Sequence, residues 1–539
     1  MTVGPLFPTF WDMSHTPNAI AWLEWDRAVF ARAVREDKPI LLSLVAPWCE
    51  HCAVMDRAAY SRADIAHLVA TLFVPVRVNT DRRPDINERY NLGGWPTTAF
   101  LTPDGEILGG GTFIEADDMP AVLTSVADAF VRRRVEIEAR TVEARAQRGV
   151  REGASHGDRS GAPRGEDARE DPIEWLSARL LELFDVEHGG FGDRPKFPHV
   201  PALMLALARH HDTGDSRFAR IVTTSLDGVA RLHDEVDGGF FRYAAHRDWS
   251  GPHTEKVLSD NALLIRLYLD AGTHFQRDDY LERADQALRW VHHTLADAQE
   301  GGFAASQAAD AAYYRLDPAD ARASRVPPRV DRTHYADSNA EMVSTYLRAA
   351  EITGEQRLRE FAVRSLERTV LNTYQPGAGI AHVSVPDPDI RGLLADQVNV
   401  ADALLRAQVV TGRLPYSMLA AELMESAIRS MWDDDHSAFR DRANNDQDGG
   451  CGLLGRPFTP FALNCDSARV LSRLALVTGR SSYRERAQAT LSGLGDGYRV
   501  DPLLGASYGL AVREVRDGQL PSGLSLAYVD WKLGEADED

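Results

Sequence analysis

The spacing of apolar residues in the N-terminal part of the chain predicts a small α/β domain. Apolar positions at helical spacing from Asn18 to Arg35 predict an opening amphipathic helix. Two continuous apolar runs, Ile40–Val45 and Phe73–Val78, predict buried strands with two helices between them. A strand–helix–strand unit of this length implies a parallel pair, because parallel strands need a long crossover. A hairpin turning at Pro103-Asp104-Gly105 and a closing helix from Asp118 to about Arg140 complete the predicted domain.

The rest of the chain alternates helical apolar patterns with two kinds of glycine turn. One follows an apolar helical stretch and is typical of a helix C-cap, and the other is a Gly-Gly-Phe loop. After a leading half-unit, Pro172–Phe184, the order helix, turn, helix, loop recurs about five times. Helical hairpins that cannot bury their own apolar faces must stack on their neighbours. We therefore predict a closed all-α (α/α)6 toroid, with an open α-solenoid as the alternative. The turn glycines are Gly214, Gly272, Gly354, Gly412 and Gly479, and the loops begin at Gly189, Gly238 and Gly301.

Between these two patterns lies a stretch with almost nothing to bury. From about Arg148 to Asp171 the residues are mostly Gly, Arg, Asp, Glu, Ser and Pro, a composition typical of disordered segments. The sequence therefore predicts an α/β domain over residues 15–140, a charged flexible linker over 141–171, and the toroid over 172–535.

Composition and charge narrow the functional classes. A formal net charge of −20 argues against a nucleic-acid partner, because phosphate binding needs a basic surface. Four cysteines are too few for a disulfide scaffold, which suits a reducing compartment. The N-terminus lacks a signal-peptide pattern and no apolar stretch is long enough to span a bilayer, so we expect no membrane partner and a cytoplasmic location. The scarcity of lysine fits either a salt-adapted surface or a GC-rich genome.

Cys49 and Cys52 form the clearest chemical motif. They follow the apolar run that ends at Val45, and the pattern becomes helical after Pro47, so Cys49 is predicted to lie at a helix N-terminus. There the backbone N–H groups and the helix dipole favour a thiolate, the nucleophile of disulfide exchange. Cys52, one turn on, can resolve a mixed disulfide. A zinc half-site with His51 and a purely structural pair are the alternatives. No second Cys-x-x-Cys supplies the further ligands of a closed zinc site, so we expect no metal.

The order of elements around this motif resembles the thioredoxin fold. In that fold an X-Pro bond before a strand is cis and lies against the cysteines, where it presents backbone to a peptide substrate. The matching residues here are Trp95 and Pro96, so the resemblance implies a cis bond between them. It also implies a catalytic set of Cys49, Cys52, Trp95 and Pro96. One position departs from thioredoxin itself, whose buried Asp six residues before the first cysteine is replaced here by Ser43.

Polar side chains gather where the Gly-Gly-Phe loops lead into the next helix. Asp, Asn and Ser at helix starts are ordinary N-caps, which accounts for about half of these residues. Capping does not explain charged residues beside an aromatic-rich loop, a combination that sugar sites commonly require. If the helix begins near Glu255, Lys256 and Asp260 share a face, and an i,i+4 ion pair between them is the structural alternative. The candidate carbohydrate-binding residues are Arg242, Tyr243, His253, Glu255, Lys256, Asp260 and Asp337.

A set of short motifs runs through both parts of the chain. Those in the N-terminal part are Lys38-Pro39-Ile40-Leu41-Leu42-Ser43, Cys49 and Cys52 followed by Met55, Asp81-Arg82-Arg83-Pro84-Asp85 and Gly93-Gly94-Trp95-Pro96. The later ones are Arg194-Pro195-Lys196-Phe197-Pro198, Gly238-Gly239-Phe240-Phe241-Arg242-Tyr243, His253-Thr254-Glu255-Lys256 and Asp260-Asn261-Ala262. As a set they resemble the spermatogenesis-associated protein 20 family, which joins a thioredoxin-like domain to a six-hairpin-glycosidase-like toroid. The segment Asp310–Asp337 and the thin last repeats depart from the family's usual pattern.

Three functional hypotheses follow. The first is a thiol–disulfide oxidoreductase that needs no cofactor, acts on protein thiols or disulfides, and uses its toroid to bind or select a substrate. The second is a carbohydrate-active enzyme, a hydrolase or epimerase, with an accessory thioredoxin-like domain. The third is a non-catalytic interaction scaffold. We favour the first, because its chemistry is visible in the sequence. Cys451 and Cys465 are expected to be buried free thiols, with an internal disulfide as the alternative.

Overall fold

The computed structural model describes residues 20–137, 139, 170–316, 319–385, 390–443 and 450–518. The contacts divide the chain into two compact units. The N-terminal unit comprises residues 1–150 together with 445–457, and the helical unit comprises 151–444 and 458–539. The predicted linker over residues 141–171 lies outside the described residues except for its last two. The predicted domain boundaries around it stay predictions.

The N-terminal unit is built on a four-stranded sheet in the order β2-β1-β3-β4. β1 is parallel to β2, as the strand–helix–strand pattern predicted, and antiparallel to β3, which pairs with β4 as a hairpin. Every residue of β1 is buried, because helices cover both faces of the central strand. The strands are β1 Ile40–Val45, β2 Val74–Asn79, β3 Thr97–Leu101 and β4 Ile107–Gly111. The helices are α1 Arg27–Glu36, α2 Glu50–Met55, α3 Ala63–Leu72, α4 Pro84–Tyr90 and α5 Met119–Arg132.

The opening helix starts later than predicted, and the closing helix is interrupted once. α1 begins at Arg27 rather than at Asn18, because Asp26 caps it by accepting the Val29 N–H at 2.8 Å. The residues just before it run extended, and Leu23 forms a parallel bridge to Val76 at the edge of β2. The closing helix α5 ends at Arg132, but residues 134–137 are helical again after a break at Arg133, and the predicted end near Arg140 lies outside the described residues.

A short segment from late in the sequence completes the N-terminal unit. Leu453 and Leu454 are buried in the same apolar cluster as Trp25 and Phe30 of that unit. The Tyr90 hydroxyl accepts the Leu453 N–H at 2.7 Å and donates to the Gly105 carbonyl at 2.8 Å. The sequence pattern placed this segment in the toroid, because its position between two helical hairpins gives no sign of a different packing partner.

Helices of the second unit form two concentric layers. Within the described residues, six inner helices each pack on the next, and the last of them returns to the first. Each inner helix also packs on an outer helix. The inner helices are α7 Val200–Thr213, α9 Leu258–Phe275, α13 Ala336–Thr353, α15 Leu394–Thr411, α17 Phe461–Thr478 and α19 Pro502–Asp517. Their outer partners are α8 Ser216–Val229, α10 Asp278–Trp290, α14 Gln356–Thr373, α16 Leu414–Met431, α18 Ser481–Leu494 and, on α19, α6 Pro172–Leu183. The ring is therefore closed, and the open solenoid is excluded.

Ring closure depends on the two ends of this unit. The leading half-unit predicted over Pro172–Phe184 is α6, and it packs against α19 at the far end of the sequence. The first outer helix in the sequence, α6, is therefore the outer partner of the last inner helix, α19. This pairing leaves no hairpin without a neighbour, which is the physical reason for a closed ring.

The predicted glycine turns are right at four positions and wrong at one. Gly214, Gly354, Gly412 and Gly479 follow their helices with φ between 68° and 73°, the left-handed conformation of a C-cap. Gly272 instead lies inside α9, which continues to Phe275. A Cβ at Gly272 would lie 2.7 Å from Leu281 Cδ2, so this glycine allows α10 to approach closely.

Short paired strands and turns shape the loops between hairpins. The strands are β5 Tyr243–Ala244, β6 Pro252–His253, β7 Lys256–Val257, β8 Ser306–Gln307, β9 Val330–Asp331, β10 Tyr374–Gln375, β11 Gly379–Ile380, β12 Trp432–Asp433 and β13 Ala438–Phe439. Two short helices, α11 Ala311–Tyr314 and α12 Ala319–Ala323, lie in the longest of these loops. These connections position the polar side chains at the N-terminal ends of the inner helices.

Candidate functional site

The cysteine motif lies at the start of α2, as predicted. Cys49 is the N-cap residue, with extended backbone at φ −79° and ψ 114°. Its Sγ accepts the backbone N–H of Cys52 at 3.2 Å. A negative charge on this sulfur would therefore be stabilised by a first-turn N–H and by the helix dipole.

The two cysteines differ slightly in burial, and Cys52 is the more enclosed of the two. Cys52 is 1% exposed and Cys49 is 7% exposed. Burial raises the pKa of Cys52 well above its usual range, and its contact with Cys49 raises it further. Cys49 is thus the sulfur at the surface end of the pair, and Cys52 is held beneath it as a thiol.

Two tryptophans flank the motif on the side of the predicted X-Pro bond. The Trp95–Pro96 bond is cis, as the resemblance implied. Trp95 lies edge-on to Trp48, which directly precedes Cys49, with ring centroids 5.2 Å apart. The Trp95 Nε1–H donates to Thr80 Oγ1 at 2.9 Å, and the Trp48 Nε1–H donates to the Asp81 carboxylate at 3.0 Å. The residues after β2 therefore hold both rings beside the cysteines.

A buried ion pair lies beneath the motif. Arg77 of β2 and Asp56, just after α2, form a two-pronged pair, with Nη1 and Oδ2 3.1 Å apart. The Arg77 guanidinium also stacks over Trp22 at 4.3 Å. The Asp56 charge contributes to the raised pKa of Cys52. Asp56 is thus a buried carboxylate near the cysteines, while the thioredoxin position holds Ser43, which is fully buried.

In the helical unit, an amide side chain in the first turn of four inner helices holds the preceding loop. Asn339 accepts the Phe303 N–H at 2.8 Å and donates to the Phe303 carbonyl at 3.0 Å. The equivalent amides bond in the same way to Phe240, Ile380 and Phe439. These amides are Asn261, Asn339, Gln397 and Asn464, and we call them the loop clamps. We predicted that capping accounts for about half of the polar residues at these helix starts. The N-cap positions of these four helices are instead Val257, Tyr335, Leu393 and Pro460, none of which caps with a side chain.

The helix after the loop that begins at Gly238 starts at Leu258, not near Glu255. Lys256 therefore lies in strand β7 and does not share a helix face with Asp260, so the predicted i,i+4 arrangement is wrong. The Lys256 ammonium is fully buried and donates to Asp234 Oδ2 at 2.7 Å and to the Gly238 carbonyl at 2.6 Å. Burial lowers its pKa to about 8. The Lys256 ammonium is therefore the ion-pair partner of the buried loop acid Asp234.

We call the loops that lead into the inner helices the toroid rim, and other residues predicted there come together in pairs. Arg242 Nε lies 3.3 Å from Asp260 Oδ2, and burial raises the pKa of Asp260 although the Arg242 charge opposes the rise. Tyr243 stacks on His253 with centroids 4.1 Å apart, and Phe197 stacks on Tyr243 at 4.5 Å. The neighbouring Glu255, also predicted, is 6% exposed.

Asp337 lies in a cluster with residues from two neighbouring repeats. We define the Asp337 cluster as Asp337, Glu341, His382 and Asp396. His382 Nδ1 lies 2.9 Å from Asp396 Oδ1, and Glu341 Oε1 accepts from Asn399 Nδ2 at 3.2 Å. Burial, with the nearby charge of Asp337, raises the pKa of Asp396 to about 6. Burial and the charges of Asp337, Asp466 and Asp260 raise the pKa of Glu341 well above its usual range.

Sequence reasoning missed several of these residues. Glu341 could have been found, because it lies four positions after Asp337 on the same helix face. His382 gives no such signal, since it lies in a loop whose conformation depends on pairing with Arg391 and Ala336. Asp81 was noted only as part of a charged run, and Asp56 was not singled out.

Comparisons with known proteins agree with the fold described above. Residues 10–147 match the family model Thioredox_DsbH, described as a protein of unknown function, DUF255. The chain is 29% identical over 319 residues to spermatogenesis-associated protein 20 of Rattus norvegicus, and 30% identical over 322 residues to that of Mus musculus. Each match covers 55% of this chain and 40% of the relative, so it spans about two fifths of the relatives' length.

A solved structure titled D-mannose isomerase is similar to the helical unit's fold. The TM-score is 0.50 at 12% sequence identity, and the match covers 62% of this chain and 87% of that chain. Together these similarities confirm the family resemblance drawn from the motifs, and the fold class of a thioredoxin-like α/β unit followed by a helical toroid. Among the described residues, no helix is both long and apolar enough to cross a membrane.

Proposed function

We propose that the N-terminal unit is a thiol–disulfide oxidoreductase that acts through Cys49 and Cys52. The observation that carries this proposal is the position of Cys49 as the N-cap of α2, with its Sγ accepting the Cys52 N–H. A sulfur in this position is stabilised as a thiolate, and a second thiol lies one turn away. The pairing of Trp48 with Trp95 beside the cis Pro96 supports an adjacent peptide-binding surface.

The chemistry requires only the two cysteines and a substrate disulfide. The Cys49 thiolate attacks one substrate sulfur, which forms a mixed disulfide and releases the other substrate sulfur as a thiolate. The Cys52 thiol loses its proton to solvent, and its sulfur then attacks Cys49 and releases the second substrate sulfur. Two electrons pass from the cysteine pair to the substrate, and the Cys49–Cys52 disulfide remains. A dithiol reductant restores the pair, and the reverse sequence oxidises a substrate dithiol.

The test is a redox titration of the full chain combined with a turnover assay. The protein is equilibrated in glutathione buffers of graded potential, and the Cys49–Cys52 disulfide is quantified by mass spectrometry. Reduction of insulin disulfides by dithiothreitol is then followed for the wild type, Cys49→Ser and Cys52→Ser. We expect loss of turnover in both variants, and a trapped mixed disulfide on Cys49 in Cys52→Ser only.

Cys465→Ser is the matched control, because this thiol is fully buried in the helical unit. It should keep the wild-type rate. If Cys49→Ser also keeps that rate, or if the pair forms no disulfide at any potential, the oxidoreductase proposal is wrong.

A second candidate function belongs to the toroid rim. We propose that it binds a small carbohydrate, because an aromatic stack of Phe197, Tyr243 and His253 adjoins the Arg242–Asp260 pair. Aromatic faces and charged hydrogen-bonding groups are the combination that sugar recognition commonly uses. Lys256 is not part of this proposal, since its ammonium is bound to Asp234.

Thermal shift against a panel of sugars and sugar phosphates tests the rim. We expect a ligand-dependent rise in melting temperature for the wild type that Asp260→Asn loses and Glu255→Gln weakens. Asp278→Asn, at the exposed start of outer helix α10, should behave as the wild type. A wild type that no sugar shifts, with variants that only lose stability, would show that these residues are structural.

A further inference from the structure

Two carboxylates and an imidazole converge at the N-terminal ends of inner helices α13 and α15. Asp337 and Asp396 lie in the first turns of these helices, and His382 lies in the loop before α15. Each offers one ligand atom, and these atoms all lie within 4.8 Å of one another. The loop is fixed by its backbone, because the His382 N–H donates to Ile390 and its carbonyl accepts the Ala336 N–H. The three groups are thus held together before any ligand arrives.

The Asp396 carboxylate pairs with His382 through one oxygen only. Its side chain is fully buried, and its Oδ2 makes no hydrogen bond. Buried carboxylates are normally paired or hydrogen-bonded at both oxygens, or they bind a metal. Glu341, one turn after Asp337 on α13, likewise leaves a buried Oε2 without a hydrogen bond. Two buried carboxylate oxygens in this small region, Asp396 Oδ2 and Glu341 Oε2, thus lack a hydrogen-bond donor, and a bound cation would stabilise them.

The observed spacing fits an ion. Two ligands about 2.1 Å from a metal and at right angles to each other are about 3.0 Å apart. His382 Nδ1 and Asp396 Oδ1 are 2.9 Å apart, the spacing of adjacent ligands in an octahedral site. Ligands on opposite sides of such an ion are about 4.2 Å apart, which is within the 4.8 Å spread of the three ligand atoms.

We propose that Asp337, His382 and Asp396 form a binding site for one divalent cation. Carboxylates favour Mg²⁺, Ca²⁺ and Mn²⁺, whereas imidazole favours Zn²⁺ and its neighbours. A mixed set of two carboxylates and one imidazole therefore favours Mn²⁺ or Zn²⁺ over Mg²⁺ and Ca²⁺. Three protein ligands leave further coordination positions for water or for oxygens of a bound molecule. The site does not depend on the Cys49–Cys52 chemistry.

The test measures ion binding directly in the full chain carrying Cys49→Ser and Cys52→Ser, so that no thiolate pair competes. Titration with Mn²⁺ is followed by electron paramagnetic resonance, in which the signal of the hydrated ion falls as it binds. We expect one Mn²⁺ per chain, displaced by Zn²⁺ at a lower concentration than by Mg²⁺. Asp396→Asn and His382→Gln should each weaken binding at least about tenfold.

Asp466→Asn is the matched control, since it removes one carboxylate from the same helix layer but outside the three ligands. Its affinity should stay within about threefold of the parent, the effect of one more distant charge. Circular dichroism identifies any variant that fails to fold, and Asp337→Asn then replaces it. Absence of Mn²⁺ and Zn²⁺ binding in the parent, or equal loss in Asp466→Asn and the ligand variants, would overturn the proposal and leave a His–carboxylate ion pair.

Discussion

At the residue scale, identical side chains in this protein have different chemistry because their surroundings differ. Cys49 and Cys52 are one helical turn apart, yet one caps the helix and the other is buried beneath it. Cys465 is also fully buried, and burial raises its pKa well above the usual range. Cys451 is only partly buried, in the N-terminal unit. The four thiols are therefore separable by their reactivity.

Brief alkylation should label Cys49 first. At neutral pH the thiolate reacts, and the raised pKa values of Cys52 and Cys465 keep those two protonated. Mass spectrometry after a short iodoacetamide pulse should find most of the label on Cys49, with Cys451 slower. Labelling in urea, where burial is lost, is the control and should make the four rates similar. Equal labelling of the folded protein at all four positions would contradict the assignment of Cys49 as nucleophile.

The contribution of Glu341 to the stability of the protein should depend on pH. Its pKa is raised in the folded state, so the carboxyl group contributes most to stability below its unfolded pKa, and this contribution is lost as pH rises through the folded value. Glu341→Gln removes the ionisation. Relative to the wild type, the variant should therefore gain stability as pH increases from 5 to 8.

The measurement is urea unfolding followed by far-ultraviolet circular dichroism at both pH values, with EDTA present so that no cation compensates the charge. Glu355→Gln, at the exposed start of α14, is the control and should show the same difference from the wild type at both pH values. A Glu341→Gln difference that does not change with pH would mean that the charge is compensated in the folded protein.

The side-chain partners at this scale were the least predictable part of the protein. Lys256 and Asp260 look like a helical ion pair in the sequence, but their partners are Asp234 and Arg242. They do not pair with each other because the helix begins at Leu258, three residues after the predicted start near Glu255. Helix ends are decided by loop contacts that a local pattern does not contain. The position of Cys49 at the start of α2 was predictable, because it depends on the local sequence alone.

At the element scale, the loop clamps explain how irregular loops keep a regular position. Each clamp satisfies both backbone polar groups of one buried residue in the preceding loop. A third bond from the amide returns to its own helix start, as from Asn339 to the Tyr335 carbonyl at 2.9 Å. The loop is therefore tied to the helix that follows it, and the acidic side chains beside the clamp acquire a fixed position.

Replacing a clamp should destabilise the toroid strongly. Asn339→Ala leaves the buried N–H and carbonyl of Phe303 unpaired, so we expect a loss of about 2–4 kcal/mol in the free energy of unfolding. Asn372→Ala, whose exposed amide donates to Ser384, is the control and should cost less than about 0.5 kcal/mol. Urea denaturation measures both. Equal small losses would mean that the clamp bonds are replaced by water.

The helical hairpins were predicted correctly, but the function of the polar residues at their helix starts was not. Apolar periodicity found the hairpins because each helix buries one face against the ring, a local signal repeated along the chain. About half of the polar residues at the helix starts were interpreted as N-caps, because capping and clamping both favour Asn there. Only the three-dimensional path of the preceding loop distinguishes the two.

At the scale of the whole molecule, neither unit is a single uninterrupted stretch of sequence. Residues 445–457 belong to the N-terminal unit, although they lie between two hairpins of the helical unit. Their backbone approaches Tyr90 and Gly105 so closely that a side chain has no space at Gly452. A Cβ there would lie 2.3 Å from the Tyr90 hydroxyl. This long-range packing could not be predicted from a local pattern, whereas the repeat of the toroid could.

Gly452→Ala should therefore disturb the N-terminal unit specifically. Gly452 has φ +60°, and the added methyl group would collide with Tyr90, whose hydroxyl accepts the Leu453 N–H. Gly412→Ala is the matched control, because Gly412 has φ +68° but open space around its Cβ position. The control should lose only about 1 kcal/mol for the left-handed backbone. Gly452→Ala should lose about 1–3 kcal/mol more through overpacking.

Hydrogen exchange followed by mass spectrometry separates these two effects by location. In Gly452→Ala, amide protection should fall in α4 and in the turn before β4, the two segments that Tyr90 and Gly105 connect to this loop. In Gly412→Ala, the loss should be confined to α15 and α16, which flank that glycine. Tyr90→Phe should reproduce the Gly452→Ala pattern more weakly, because it removes the two hydroxyl bonds without adding volume. Unchanged protection of α4 in both variants would show that residues 450–457 contribute nothing to the stability of the N-terminal unit.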